Sequence, residues 1–467
     1  MAAMKNSRDP FHSLFNPRSV AVIGASPNPM KMGHQCLLSL KGSSFPGPIY
    51  PIHPQKKDIL GMPTYPDLLR VPGEVDLAIL VVPASGAIPA LLACREKNVR
   101  GAVIITAGFR EIESPAGAAL QEEMAAVANQ AGIKIIGPNT FGMVNVHAGL
   151  NASFTPIFSH LKHGPISVIS QSGGVAHLIG YQALNEGIGL GKVIGLGNRC
   201  NVEFVDLLPF FAGDHQTRCV ILFIEGLEDP QPLMAAIRKF VPQKPVVAMK
   251  AGRYSASLKA ARSHTGSMAG RYEIYEASLR QAGAIVSQAP DELLDLAKIL
   301  VMLPPLPGRN VAVVSFQAGP GILLTDEVVR QGLSMASFLP HTQGALDRLL
   351  PPLTIRSNPV DLAFARDEQM FEDALGLILN DKNVDALVIF LLQHPFMTPK
   401  QIAGPLLRQR KSSSKPILLC ANSPRGIIEE EIAELEDKGV PVYSLPQRAI
   451  RALKGLVDYG EVMKRMT

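Results

Sequence analysis

From Arg18 onward the chain is a succession of short apolar runs that end in Gly, Ser, Pro or Asn, alternating with longer stretches of helical periodicity. Strands of a parallel sheet read this way, because crossover helices cover both faces of the sheet and leave no face for polar side chains. The pattern predicts a doubly wound α/β architecture, and it occurs three times. The first series is VAVIGAS from Val20, PIYPIHP from Pro48, DLAILVVP from Asp76, GAVIITAGF from Gly101 and KIIGPNT from Lys134. Residues 147 to 164, rich in His, Pro and Phe, read as a linker into PISVISQSGG, KVIGLGN, CVILFIEG, KPVVAMKAGR and AIVS. After the breaker MLPPLPGRN come NVAVVSFQAG, LSMASF, DALVIFLLQ, KPILLCANS and VPVYSLP. Three domains are expected, over residues 10–146, 147–304 and 305–467, as suits 467 residues at roughly 100 to 200 per domain.

Charge narrows the partners. A formal net charge of +5 on so long a chain is slight, and no run of Lys and Arg resembles a nucleic-acid track. The five cysteines lie far apart with no C-x-x-C pair, which suits a reducing cytoplasm and no zinc site. MAAMKNSRDPFHSLF has no apolar signal core, and no apolar run reaches the ~20 residues of a membrane helix. The expectation is a cytoplasmic protein that binds neither membrane nor nucleic acid.

Parallel sheets bind ligands beyond the C-terminal ends of their strands, so the loops after these runs are where chemistry is sought. In VAVIGASPNPMKMGHQ, Gly24 and Gly33 bracket a strand-to-helix turn whose N–H groups can meet a phosphate. The G-x-G-x-x-G spacing is absent. Where a nicotinamide-binding domain carries an acidic ribose ligand, this chain has His53-Pro54-Gln55-Lys56-Lys57, which counts against a dehydrogenase. Lysines there suit a ribose that bears a phosphate, as in CoA or NADP, and are equally readable as solvated loop charges.

The second series holds KAGRYSASLKAARSHTGSMAGRYEIYEASLRQAG. His264 stands in it among Gly252, Ser263, Thr265, Gly266, Ser267, Ala269 and Gly270, so a ligand or a second chain can approach the imidazole closely. With an ordinary pKa of about 6.5, much of a histidine is neutral near pH 7, and one ring nitrogen is free to attack phosphorus. Such an acceptor needs a partner to fix its tautomer and an anion site to hold the phosphate. Glu225, ending the run CVILFIEG, can be that partner, or can simply pair with a nearby Arg or Lys. The turn QSGGV offers the backbone N–H groups of Ser172, Gly173 and Gly174 at a helix N-terminus, worth about 0.3 to 1 kcal/mol to an anion. The other ten histidines, His177 on a helix among them, read as surface or core-edge groups.

Taken in order, VAVIGAS, PIYPIHP, LGMPTYPDL, VDLAILVVPA, AVIITAGF and GPNTFGMVN resemble the CoA-binding domain of ADP-forming acetyl-CoA synthetases and of succinyl-CoA synthetase. SQSGGVAHL, IGLGN, FIEGLED, VVAMKAGR and SHTGSMAG resemble the ligase domain of the same α-chains, and IRSNPVDL resembles a motif of their third domain. The resemblance covers most of residues 10 to 460. It implies a Rossmann-like CoA-binding domain followed by two flavodoxin-like domains of the succinyl-CoA synthetase kind. It further implies CoA contacts from Gly24, Ala25, Ser26, Lys56, Val82, Pro83, Thr106, Ala107 and Asn139. By the same resemblance Ser172, Gly173 and Gly174 cradle phosphate, His264 carries the phosphoryl group, and Glu225 is its hydrogen-bond partner.

The reaction so implied converts acyl-CoA, ADP and phosphate into the acid, CoA and ATP through an acyl phosphate and a phosphohistidine. With no G-x-x-x-x-G-K-[ST] loop and no ATP-grasp segment in the sequence, ADP or ATP and Mg²⁺ are expected from a β subunit in an α2β2 hetero-oligomer, and no metal ligand is assigned to this chain. Three departures stand out: Thr140 where the family commonly has Cys, Cys200 and Asn201 where relatives often have Ala and Asp, and Gln317 in a less glycine-rich third turn. They motivate the rival reading of a CoA sensor that has lost phosphoryl transfer. The third domain is expected to serve as scaffold and docking surface. The acyl group stays open.

Overall fold

The computed structural model describes residues 10–112, 114–254, 271–352, 354–363, 368–392, 398–424 and 426–466. His264 and its neighbours from 255 to 270 lie outside the described residues. Two compact units divide the chain at Leu293 and Leu294.

The first unit carries two large sheets and a two-stranded antiparallel ribbon, Asp58–Ile59 with Met62–Pro63. One is wholly parallel, in the spatial order Ile49–Ile52, Val20–Ile23, Leu77–Leu80, Gly101–Ile104 and Lys134–Ile136. Its apolar side chains, among them Ala78, Leu80, Ala102 and Ile104, are fully buried against helices such as Ala87–Glu96 and Pro115–Ala131. Its central turn depends on close backbone approach. Gly24 has φ +95°, and a Cβ there would meet the Val81 carbonyl oxygen at 2.3 Å; one on Gly33 would meet the Gly24 carbonyl oxygen at 2.1 Å. Only glycine lets the helix Met32–Gly42 start so near the strand end.

The second sheet has a parallel part in the order Ile285–Val286, Val246–Lys250, Cys219–Ile224, His163–Ser170 and Leu190–Gly195. An antiparallel hairpin, Gly142–Asn145 and Leu150–Ser153, extends it beyond Leu190–Gly195. This differs from the sequence reading, which put GPNTFGMVN in the first series and a linker after it. The physical reason is that the hairpin is closed by polar groups. Ser153 Oγ donates to Asn151 Oδ1 at 2.6 Å, and Asn151 Nδ2 donates to the Thr155 carbonyl at 3.0 Å and Ser159 Oγ at 2.9 Å.

The two sheets of this unit are also stitched by Asn201. Its Oδ1 accepts from Ile135 N–H at 2.9 Å and its Nδ2 donates to the Ile133 carbonyl at 2.8 Å, so it satisfies the open edge of the last parallel strand. Here the departure has a structural role.

The second unit holds a parallel sheet in the order Ser334–Met335, Asn310–Ser315, Ala386–Leu392, Ile417–Asn422 and Val442–Tyr443. A two-residue strand, Val360–Asp361, pairs with Asn310–Ser315 and has no counterpart in the sequence reading. Among the described residues no helix is long and apolar enough to cross a membrane.

Candidate active site

Within the first unit, the C-terminal ends of both parallel sheets open onto one cavity of about 350 Å³, a size ordinary for small-molecule sites. Thr106, Ala107 and Asn139 line it from the first sheet, and Ser172, Gly173, Gly174 and Glu225 from the second. Two groups of residues that the sequence reading kept in separate domains therefore face each other. Thr106 Oγ1 donates to the Val82 carbonyl at 2.6 Å, and Asn139 N–H donates to the Thr106 carbonyl at 2.8 Å. These bonds align the ends of neighbouring strands.

Gly24, Ala25, Ser26, Val82 and Pro83 sit on the same C-terminal edge of the first sheet but outside the lining of this cavity. The Ser26 carbonyl is 3.0 Å from Nδ1 of buried His34, which anchors the loop to the helix after it. Lys56 is exposed on the loop beyond Ile49–Ile52 and does not line the cavity either; His53 Nδ1 accepts from its backbone N–H at 3.1 Å.

The phosphate-cradle candidates stand at the start of the helix Gly173–Glu186, where Ser172 is the cap and its Oγ accepts from Val175 N–H at 3.4 Å. A Ser cap followed by two glycines places the N–H groups of a helix start at the cavity lining with little side-chain bulk. Gln171 does what the sequence did not disclose. Its buried side chain crosses to the next strand end, where Oε1 accepts from Glu225 N–H at 2.5 Å and Gly226 N–H at 3.2 Å, while Nε2 donates to the Gly226 carbonyl at 2.9 Å. The turn and the Glu225 loop are one hydrogen-bonded assembly.

Lys250 completes it. The side chain, 2% exposed, ends the neighbouring strand, and its ammonium donates to the carbonyls of Glu225 at 2.8 Å and Ala251 at 2.5 Å. Burial pushes its pKa down to about 8, and the charge of Glu225 works in the opposite direction.

Asn198 and Arg199 form the rim. Asn198 Nδ2 donates to Glu111 and to Gln121 Oε1 at 3.0 Å. Burial works to raise Glu111, but the hydrogen bonds from Gly108 N–H and from Asn198 outweigh it and hold the carboxyl below its usual range. Arg199, at φ +59°, pairs with Glu203 at 2.7 Å.

The far wall is aromatic, formed by Phe141, Phe154 and His177. His177 meets Phe141 edge-on, ring centroids 5.1 Å apart, with Nε2 2.7 Å from Thr155 Oγ1 and Nδ1 2.7 Å from the Gly173 carbonyl. The sequence reading set this histidine aside as a surface or core-edge group; the structure makes it part of the cavity wall.

The other departures have local explanations. Thr140 is buried, donates to the Gly195 carbonyl at 2.6 Å and accepts from Gly142 N–H at 3.0 Å, so it links the hairpin to the second sheet. Burial pushes the Cys200 thiol up to about 12, with Arg110 working weakly against it. Among the described residues no three His, Cys, Asp or Glu side chains gather as metal ligands.

Residues 18–145 match a CoA binding domain, residues 163–300 a succinyl-CoA ligase like flavodoxin domain, and residues 311–447 a Ligase-CoA domain. Over 454 residues the chain is 39% identical to the alpha subunit of the ADP-forming acetate–CoA ligase II of Pyrococcus furiosus, covering 96% of itself and 97% of that subunit. The chain belongs to the ADP-forming acid–CoA ligase family. Another member, the ADP-forming acetate–CoA ligase I of Archaeoglobus fulgidus, is 36% identical over 449 residues, and the chain covers 64% of its length. Among solved structures, the dinucleotide-forming acetyl-coenzyme A synthetase 1 of Ca. Korarchaeum cryptofilum, in complex with phosphate and ADP, superposes with a TM-score of 0.87 at 30% identity. That match covers 98% of each chain. The expected fold, three doubly wound domains of the CoA-binding and succinyl-CoA ligase-like types, is the family's fold.

Proposed function

We propose that this chain is the CoA-binding, phosphohistidine-carrying subunit of an ADP-forming acid–CoA ligase, coupling acyl-CoA, ADP and phosphate reversibly to acid, CoA and ATP. The observation that carries the reading is the single cavity in which Thr106, Ala107 and Asn139 face the Ser172–Gly174 helix start and Glu225. A thioester presented from the first sheet would meet a phosphate held at the second. The cradle's N–H groups stabilise the negative charge of the phosphate while it attacks the thioester carbonyl and the thiolate leaves. His264 then takes the phosphoryl group from the acyl phosphate, releasing the acid, and Glu225 supports the charged imidazole. Gly24, Ala25, Ser26, Lys56, Val82 and Pro83 are assigned to the remainder of CoA, with Lys56 toward its ribose phosphate. Of the three expected domains, residues 10–146, 147–304 and 305–467, the first two carry the chemistry, with the hairpin Gly142–Asn145 belonging to the second by its pairing, and the third serves as scaffold and docking surface.

Nucleotide and Mg²⁺ are assigned to an ATP-grasp β subunit in an α2β2 cytoplasmic assembly. The five free cysteines suit a reducing compartment. The purified chain is expected to bind CoA in calorimetry and to show no nucleotide-dependent turnover until that subunit is added. ATP-dependent acyl-CoA synthesis by the chain alone, or no binding of CoA, would overturn the reading.

A further inference from the structure

Lys250 is a buried cation whose hydrogen bonds go to carbonyls. Its strand, Val246–Lys250, pairs in parallel with Cys219–Ile224, and Lys250 lies opposite Ile224. The side chain therefore reaches across two adjacent strand ends. One of its acceptors belongs to Glu225; the other is Ala251, the first residue of the stretch that leads in sequence to His264. The ammonium also lies 5.1 Å from the ring centroid of Tyr275, whose hydroxyl is held by the Leu227 carbonyl at 3.1 Å.

The Glu225 peptide is thus gripped at both ends. Gln171 Oε1 accepts from its N–H at 2.5 Å, and Lys250 Nζ donates to its carbonyl at 2.8 Å. A side chain that departs from a peptide fixed at both polar groups has few directions open to it. Because the pKa of Lys250 falls from 10.5 to about 8 on folding, keeping it charged costs folding free energy at pH values below about 8. The cost fades as pH rises toward 10.5, because across that interval the unfolded chain binds more protons than the folded one.

We propose that Lys250 is a positioning residue for phosphoryl transfer: its ammonium fixes the Glu225 and Ala251 carbonyls and so sets where the Glu225 carboxylate stands in the cavity. The inference rests on the phosphohistidine reading above and adds a residue to it. The charged and titratable groups around this ammonium are Glu225 from the adjoining strand end and Tyr275 from the helix Tyr272–Ala282. Arg199 and Asp229 act in turn on Tyr275. With the ammonium deprotonated, the grip on both carbonyls weakens, and transfer should fall along an alkaline limb.

The test incubates the full chain with acetyl-CoA and radiolabelled inorganic phosphate and follows acid-labile, base-stable label from pH 6.5 to 10. Wild type should label fastest below about pH 8 and lose rate above it. Lys250→Met should label on the order of 10²-fold more slowly, as misplacement of a catalytic group does, with CoA affinity kept and the limb gone. Lys250→Arg should restore much of the rate and move the limb beyond the range, because a guanidinium stays charged.

Label entering Lys250→Met at the wild-type rate would overturn the proposal. So would a wild-type profile flat to pH 10, which decides the matter even if neither variant folds. Equal loss in both variants with the limb unmoved would mark a purely structural lysine and overturn it too. Wild type that takes no label from acetyl-CoA or from branched, aryl and dicarboxylic acyl-CoA thioesters, while binding CoA, would overturn the phosphohistidine reading itself and is thereby told apart from failure of the Lys250 assignment.

Discussion

Two strand-to-helix turns in this molecule start alike and end differently. In the second sheet the strand ends at Ser170 and continues as Gln171-Ser172-Gly173; in the third it ends at Ser315 and continues as Phe316-Gln317-Ala318. Both serines donate to the carbonyl two residues on, Ser170 Oγ to Ser172 at 2.7 Å and Ser315 Oγ to Gln317 at 2.5 Å. The backbone device is the same. The side chains diverge: Gln171 splints the Glu225 loop, whereas Phe316 turns into the core against Phe371, ring centroids 5.2 Å apart. Ser172 caps its helix through Val175 N–H, while Gln317 gives its helix no side-chain cap. Its Oε1 is buried with no hydrogen-bond partner among the described residues. A shared turn therefore does not imply a shared site. One turn uses its polar positions to organise a cavity, and the other spends them on packing.

Four substitutions probe that contrast. Phe316→Ala should have the largest effect, a loss of about 3 to 5 kcal/mol in the unfolding free energy of its unit, because it empties a packed ring position. Denaturant unfolding checks it, and CoA affinity should stay at the wild-type value. Gln171→Leu comes next. It leaves the Glu225 and Gly226 N–H groups unpaired at about 1 to 3 kcal/mol and should slow phosphate labelling by on the order of 10²-fold. A rapid-quench time course reads the second number; an unchanged rate would mean that the splint is idle and that the two turns are equivalent. Ser172→Ala should cost about 1 kcal/mol of stability by thermal unfolding, with weaker phosphate binding in calorimetry. Gln317→Leu should be smallest, within about 1 kcal/mol of wild type and on the stabilising side, since it removes a buried oxygen without a partner.

Much of the architecture was legible because apolar runs between turn residues leave few alternatives to buried parallel strands. All five runs read in each series contain a strand. The exceptions have separate causes. The hairpin at 142–153 buries Asn145, Asn151 and Ser153, whose polarity hides a strand from any hydrophobic pattern, and Val360–Asp361 is too short to show one. At the site, the glycine turn and the strand-end Glu225 could be picked out because each is a local feature. Gln171, Lys250 and His177 could not, since each acts across strands or helices distant in sequence. Burial of a lysine at a strand end leaves no mark in the sequence around it. Asn201 and Thr140 looked like losses against the family pattern, yet Asn201 bonds to the edge strand of the first sheet and Thr140 ties the hairpin to Leu190–Gly195.

In the proposed reaction phosphate passes from the cavity beside Glu225 to one imidazole. Mapping the phosphorylated residue by mass spectrometry, after the chain has met acyl-CoA and phosphate, tests it directly. Modification at His264, absent from His264→Asn while CoA binding persists, is the predicted result. Phosphate found instead on His177 in the cavity wall, or label undiminished in His264→Asn, would contradict it.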